Sequence, residues 1–307
     1  MKPQYLAILI VMNVLWAASL SLYKALGGHL PPGGIVTMRF GSAAVIMAIV
    51  WFWLPGRAPR GWDLFRTLLM GLVVFTLGHR LQVYGNKLST AGNSSVLMGM
   101  EPLLTSVAAA VFLREHIGPR RWTGFALGLL GVALLNGILQ PGFQWTSLTA
   151  SAIFVSSFLC ESAYSVLGKP LIERAGGAKI LALALFAGTM ANLAIDGRQT
   201  WEAVRTMPPH YWWMISYLGL ICTAFGYAIW FVIIRETDVN LAALTIFVQP
   251  VAGVAIAGIW LGEKLRWEQL WGSLAILAGL GLGLSRQIKR QGQRVPGAST
   301  EVATLGE

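Results

Sequence analysis

Eight polar or charged side chains lie deep inside stretches that are otherwise apolar: Asn13, His79, Arg80, Gln82, Glu101, Glu161, Asn192 and Gln249. A carboxylate or imidazole in such a place can exchange a proton or meet a cation, and an amide can hydrogen-bond across helices. Each is costly away from water, so each needs a partner, a cavity or a ligand. His79 and Gln82 are three residues apart and share a helix face, as do Glu161 and Tyr164. No basic residue lies within four positions of Glu161, so any partner comes from elsewhere in the chain. For Asn192 the expected role is a helix-to-helix hydrogen bond. Glu101-Pro102 and Gln249-Pro250 add another device. A mid-span proline removes a helical hydrogen bond and frees the carbonyl four residues earlier, here at Met98 and Ile246. The two prolines are therefore candidate hinges beside polar groups.

The elements that position these residues are membrane-length helices. The chain is 55% hydrophobic and only 12% charged, with a mean hydropathy of +0.63. A soluble domain carries about 25% charge. Apolar runs recur near 6–26, 33–54, 65–85, 92–113, 123–139, 147–168, 178–196, 211–234, 240–261 and 267–285. Each is long enough to cross about 30 Å of hydrocarbon as a helix. The expected fold is an all-α integral membrane protein of ten transmembrane helices. On that register Arg80 and Glu101 lie about 6 Å apart in depth at 1.5 Å per residue, within an arginine's reach.

Residues 78–135 repeat at 226–283 with a constant offset of 148 and no gap. Gly78 matches Gly226, Pro102 matches Pro250, Glu115 matches Glu263 and Gly131 matches Gly279. Five spans per half is an odd number, so the second half enters from the opposite face and the repeat is inverted. Such architectures place a site near the midplane, between the halves. The expected divisions are 1–139 for the first five-helix repeat and 140–285 for the second. A basic, polar tail follows at 286–307. Gly124/Gly128 and Gly279/Gly283 are GxxxG steps for close packing, within one chain or between two.

The net charge of +10 does not point to nucleic acid, because it is not gathered on one face. Of 23 Lys and Arg residues, 15 fall on the side shared by both termini, among them Lys2, Arg57, Arg60, Arg120, Arg121, Lys169 and Arg174. Seven, including Lys24, Arg39 and Lys87, fall on the other side, and Arg80 lies within a span. The positive-inside rule then puts both termini in the cytoplasm. Of 13 tryptophans, only Trp16 and Trp230 lie deep within spans; the others lie near span ends, as interfacial belts do. Cys160 and Cys222 both fall inside spans and form no readable disulfide framework. There is no HExxH and no Walker motif, hence no catalytic, metal or cofactor assignment. Gly92-Asn93-Ser94-Ser95 lacks the final glycine of an intramembrane serine-protease elbow, and no ring-like filter motif suggests a channel. A channel or an intramembrane enzyme remains the alternative of another class.

Asn13-x-x-Trp16, Lys24, Pro31-Pro32 and Arg39-Phe40 open the chain. Glu101-Pro102 then leads to Leu113-x-Glu115, and Gln249-Pro250 to Leu261-Gly262-Glu263. In these features the chain resembles the drug/metabolite transporter superfamily, specifically the ten-helix EamA-type carriers of bacterial inner membranes. Within that group it looks most like the aromatic amino-acid exporters. The resemblance implies secondary transport of aromatic and other amino acids by alternating access, across a lipid bilayer and without a cofactor. Oligomeric state is not implied. A lipophilic-cation multidrug exporter of the same fold is the alternative. The central cavity of that superfamily maps here to Asn13, Trp16, His79, Gln82, Met100, Glu101, Glu161, Tyr164, Tyr227, Trp230 and Gln249. The second half has no counterpart of Arg39, which leaves equivalences before Gly226 unanchored.

The charge split makes a topological prediction. With Cys160 and Cys222 replaced, single cysteines placed beside Arg60 and beside Gly142 are expected to label from opposite membrane faces. Labelling of both from outside contradicts the ten-span arrangement.

Overall fold

The computed structural model describes residues 1–88, 94, 97–135, 148–261, 267, 271–272, 274–279 and 282. Among them every regular element is helical. Backbone amides have no water to bond in hydrocarbon, so each spanning segment satisfies its own ladder. The helices are α1 (Pro3–Leu26), α2 (Pro32–Ile49), α3 (Gly61–Lys87), α4 (Met98–Phe112), α5 (Pro119–Leu135), α6 (Leu148–Ile172) and α7 (Gly177–Thr206). Two more follow, α8 (Pro209–Glu236) and α9, the latter built from Val239–Ala243, Leu244–Phe247 and Val248–Leu261. The described residues at 267, 271–272, 274–279 and 282 are helical as well. Pro3, Pro32, Pro119 and Pro209 each stand at the first helical position, where a missing N–H costs nothing.

Six described helices are long and apolar enough to cross a membrane: α1, α2, α3, α7, α8 and Val239–Trp260 of α9. Several ends differ from the sequence expectation. α2 stops at Ile49 instead of 54, because Trp51–Trp53 turns as a 3-10 helix. α7 continues to Thr206 instead of ending at 196, interrupted at Asp196 (φ −141°, ψ 18°). The link at 139–147, the tail at 286–307, Trp145, Glu263, Gly283 and most of the Gly92–Ser95 stretch lie outside the described residues. Of the tryptophans expected at span ends, nine are exposed, including Trp53, Trp62, Trp201 and Trp213.

Two irregularities recur at the offset of 148. α3 widens into a π-helix over Leu72–Gly78, and α8 does so over Tyr217–Phe225. A π-turn passes the hydrogen bond to the fifth residue, as from the His79 amide to the Val74 carbonyl. The second irregularity is a 3-10 turn, Met98–Met100 in α4 and Leu244–Phe247 in α9. Pro102 and Pro250 follow directly, within the first turn of Glu101–Phe112 and of Val248–Leu261. The prolines thus fall where the ladder is already irregular.

Packing follows the same pattern. α1 lies on α9 as α6 lies on α4, α6 lies on α3 as α1 lies on α8, and α2 lies on α8 as α7 lies on α3. α2 and α7 pack on each other. Close approach requires glycine at Gly131 and Gly279: a Cβ on the first would stand 2.5 Å from the Gly272 carbonyl oxygen, and on the second 2.7 Å from that of Gly124. The Gly124 step is therefore used within one chain.

Two polar locks hold the ends. Arg80 does not reach Glu101. Its Nη2 donates to Asp196 Oδ2 (2.8 Å) and its Nε to Asn192 Oδ1 (2.8 Å), while Thr37 donates to Asp196 Oδ1 (3.0 Å). α2, α3 and α7 are tied together, and Asn192 Nδ2 donates to the Phe75 carbonyl (2.9 Å) in the interhelical role expected of it. Arg80 paired elsewhere because α7 runs past 196 and carries Asp196 alongside α3. At the other lock Glu115 accepts the amide hydrogens of Val239 (2.9 Å) and Asn240 (3.0 Å) and pairs with Lys169 (2.7 Å). A carboxylate there satisfies orphan donors and complements the positive end of α9. Arg114, at φ 55°, turns the chain that presents it.

Candidate functional site

A central cavity, open to solvent, is lined from α1, α2, α3, α4, α6, α8 and α9. Nine of the eleven residues expected at the site line it: Trp16, His79, Gln82, Glu101, Glu161, Tyr164, Tyr227, Trp230 and Gln249. Asn13 and Met100 do not. Asn13 stands one step behind, where its Oδ1 accepts from Gln249 Nε2 (2.7 Å) and its Nδ2 donates to Leu9 O (2.8 Å) and Thr245 Oγ1 (3.0 Å). Met100 is displaced by the 3-10 turn, whose three-residue period brings Met98 to the cavity instead.

The π-turns anchor the rings. His79 Nδ1 lies 3.0 Å from the Val74 carbonyl, which can only accept, so Nδ1 carries a hydrogen. Trp16 Nε1 donates to the Cys222 carbonyl (2.7 Å). Val74 and Cys222 are themselves 148 residues apart, so carbonyls at matching places in the two widened stretches each hold a cavity ring. Trp230 Nε1 donates to Ser165 Oγ (2.9 Å), and Tyr164 Oη to the Tyr227 carbonyl (2.9 Å). With their polar ends committed, the rings present faces and edges. Trp16 lies 6.0 Å from Tyr227 and 6.3 Å from Trp230, and Tyr164 lies 4.8 Å from Tyr227 edge-on.

The fixed tautomer turns His79 Nε2 toward Glu161 Oε1 (3.0 Å) and Tyr227 Oη (3.2 Å), and Tyr227 Oη donates to Glu161 Oε2 (3.2 Å). The Nε2–Oε1 contact is at ion-pair distance without hydrogen-bond alignment: Glu161 Oε1 accepts no hydrogen bond from any described residue. The partner of Glu161 is thus 82 positions away on α3, which no local reading supplies. Glu101 takes no hydrogen bond or ion pair from the described residues either, and Gln249 Oε1 is unpartnered.

The lining residues fall into pairs at the same offset: Trp16 with Tyr164, His79 with Tyr227, Gln82 with Trp230, Met98 with Ile246, and Glu101 with Gln249. Asn13 pairs with Glu161 in this way, so the offset reaches well before Gly226. One consequence is chemical. Where Asn13 and Gln249 form an amide–amide hydrogen bond, the exchanged positions hold two carboxylates, Glu161 and Glu101. Two carboxylates cannot bond each other unless a proton or a cation comes between them.

Residues absent from the sequence expectation also line the cavity: Ser19, Leu20, Arg39, Thr105 and Ser165. Arg39 matters most, because it adds a buried cation; Arg80, the one buried cation expected from sequence, serves a lock outside the cavity. Its signal was present in the chain, seven residues into an apolar run, but its charge was assigned to the membrane face.

Helical bundle and charged, aromatic cavity define a multi-pass membrane transporter. The EamA-like transporter family model matches residues 4–137 and again 148–284, so the chain belongs to that family. It is 26% identical to the "Probable terminal-alkyne amino-acid exporter" of Streptantibioticus cattleyicolor, over 92% of this chain and 94% of the relative. It is also 26% identical to the "Probable amino-acid metabolite efflux pump" of Salmonella typhimurium (96% and 99% covered) and 24% identical to the Escherichia coli protein of that name (91% and 93%). A solved crystal structure superposes with a TM-score of 0.70 at 16% identity, covering 94% of this chain and all of that one, which shows a shared fold.

The His79–Glu161–Tyr227 cluster yields a prediction. Glu161→Gln keeps shape and removes titration at the pair, so this variant is expected to fold but to bind or transport without the wild-type pH dependence. An unchanged pH profile, measured in proteoliposomes, would make the cluster packing alone.

Proposed function

We propose that the protein exports amino acids, aromatic ones among them, from the cytoplasm across a bacterial inner membrane. The observation that carries this reading is the cavity itself: the carboxylates of Glu101, without a partner among the described residues, and Glu161, with one oxygen that accepts no hydrogen bond, beside the rings of Trp16, Tyr164, Tyr227 and Trp230. A carboxylate meets an ammonium, and anchored rings accept an aromatic side chain by offset or edge contact and a cation by its quadrupole. Gln82 and Gln249 add hydrogen-bonding capacity at the same wall. The names of the amino-acid exporters among the relatives point the same way.

The mechanism we propose is alternating access between two inverted five-helix repeats, 1–139 and 140–285, with both termini cytoplasmic. The matched packing of α1–α4 and α6–α9 supports it. Pro102 and Pro250 serve as hinges, since each adjoins a 3-10 turn that can change pitch locally. A lipophilic-cation exporter is the second reading; the pair of carboxylates at Glu101 and Glu161 favours it.

Counterflow in proteoliposomes separates the two. Radiolabelled phenylalanine is expected to exchange against internal phenylalanine, tyrosine and tryptophan and not against ethidium. Trp230→Ala should weaken apparent affinity roughly tenfold, and Pro102→Ala with Pro250→Ala should slow exchange while leaving binding intact. Exchange of ethidium alone would contradict amino-acid export.

A further inference from the structure

Arg39 is buried at 4% exposure, within the membrane-length helix α2, and lines the cavity. All its protein partners are neutral. Nε donates to Thr223 Oγ1 (2.9 Å), Nη1 donates to Tyr23 Oη, and the guanidinium faces the Phe40 ring at 5.0 Å and that of Tyr23 at 5.8 Å. Thr223 is held in turn by the Leu218 carbonyl (2.8 Å) in the π-helical stretch of α8, so the acceptor cannot swing away. No described carboxylate lies within ion-pair distance of Arg39, whereas the half-buried Arg80 has Asp196. Nη2 donates to no described residue, and it is not sealed from open space as the buried unpartnered atoms are. A guanidinium at membrane depth is costly and ordinarily pairs with a carboxylate or backbone carbonyls. Here no described residue supplies that carboxylate.

Glu161 presents the opposite case, a carboxylate oxygen without a hydrogen-bond donor, on α6 in the same cavity. His79, whose ring packs edge-on against Phe40 at 4.6 Å, stands between the two groups. One cavity therefore holds a cation without an ion-pair partner among the described residues and a carboxylate with one oxygen that accepts no hydrogen bond, on different helices. A ligand carrying both charges satisfies both; a lipophilic cation satisfies one and leaves Arg39 buried and unpaired.

We propose that Arg39 binds the substrate carboxylate, with a planar pair of N–H donors suited to it, and that the cavity selects molecules carrying a carboxylate and an ammonium together over the corresponding amines. This rests on the cavity being the transport site. It assigns Arg39 as a specificity-determining residue and Glu161 as its counterpart for the ammonium.

The test is equilibrium binding to purified protein in detergent with three probes of one shape: phenylalanine, phenethylamine and 3-phenylpropionate. Wild type is expected to bind phenylalanine at least about tenfold tighter than either analogue. Arg39→Gln should bring phenylalanine down to the affinity of phenethylamine and leave phenethylamine unchanged. Glu161→Gln should bring phenylalanine down toward 3-phenylpropionate instead. Arg39→Lys, which keeps the charge without the fork, should recover part of the loss and guards against misfolding of the glutamine variant. The wild-type ranking stands alone if neither variant folds. Equal binding of phenylalanine and phenethylamine by wild type, or equal weakening of both by Arg39→Gln, overturns the assignment while leaving amino-acid transport standing. Binding of none of the three, with ethidium bound, overturns both this assignment and the export reading.

Discussion

Hydrogen-bond satisfaction without water is the constraint on which this structure depends. A helix in hydrocarbon must close its own ladder, and any group taken out of the ladder has to be used. Buried ring N–H groups carry the same obligation, and the π-helical stretches of α3 and α8 meet it for two cavity rings. The Val74 and Cys222 carbonyls, at matching places in the two stretches, take the ring N–H of His79 and of Trp16. These bonds fix ring orientation and the histidine tautomer. They leave Nε2 of His79 facing Glu161 and the indole face of Trp16 toward Tyr227 and Trp230.

The duplication explains the scaffold, and its divergence explains the chemistry. Pairs 148 residues apart occupy corresponding places, yet the two members differ in kind: an asparagine against a glutamate, a histidine against a tyrosine, a glutamate against a glutamine. A symmetric frame thereby acquires an asymmetric distribution of charge. The amide bond between Asn13 and Gln249 holds α1 to α9, while the exchanged positions leave Glu161 and Glu101 open to the cavity. Arg39 has no counterpart, since Ala187 stands at the corresponding offset, and it places the cation on one wall only.

Much of this was legible in the chain, and the reasons differ by residue. Polar groups such as Glu101, Glu161 and Gln82 betray themselves by their apolar surroundings, because membrane depth makes them expensive wherever they occur. Partners are another matter. Arg80 joins Asp196, and His79 joins Glu161, across separations that no helical spacing encodes. Depth put Glu101 within reach of Arg80, but depth along a helix says nothing about rotation around it. Met100 yielded its place to Met98 through a 3-10 turn that carries no composition signal. Glu115, legible as a repeat position and as part of the resemblance, caps α9, a role its spacing does not encode.

The central claim is that one ligand bridges charges contributed by separate helices inside the aromatic cavity. Its most direct test is a crystal structure with 4-bromophenylalanine, read by the anomalous signal of the bromine. The expected result is one bromine site among Trp16, Tyr227 and Trp230, with the ligand ammonium at Glu161 and its carboxylate at Arg39. A fully occupied bromine site outside the cavity, or a ligand in the cavity whose carboxylate turns away from Arg39, would contradict it.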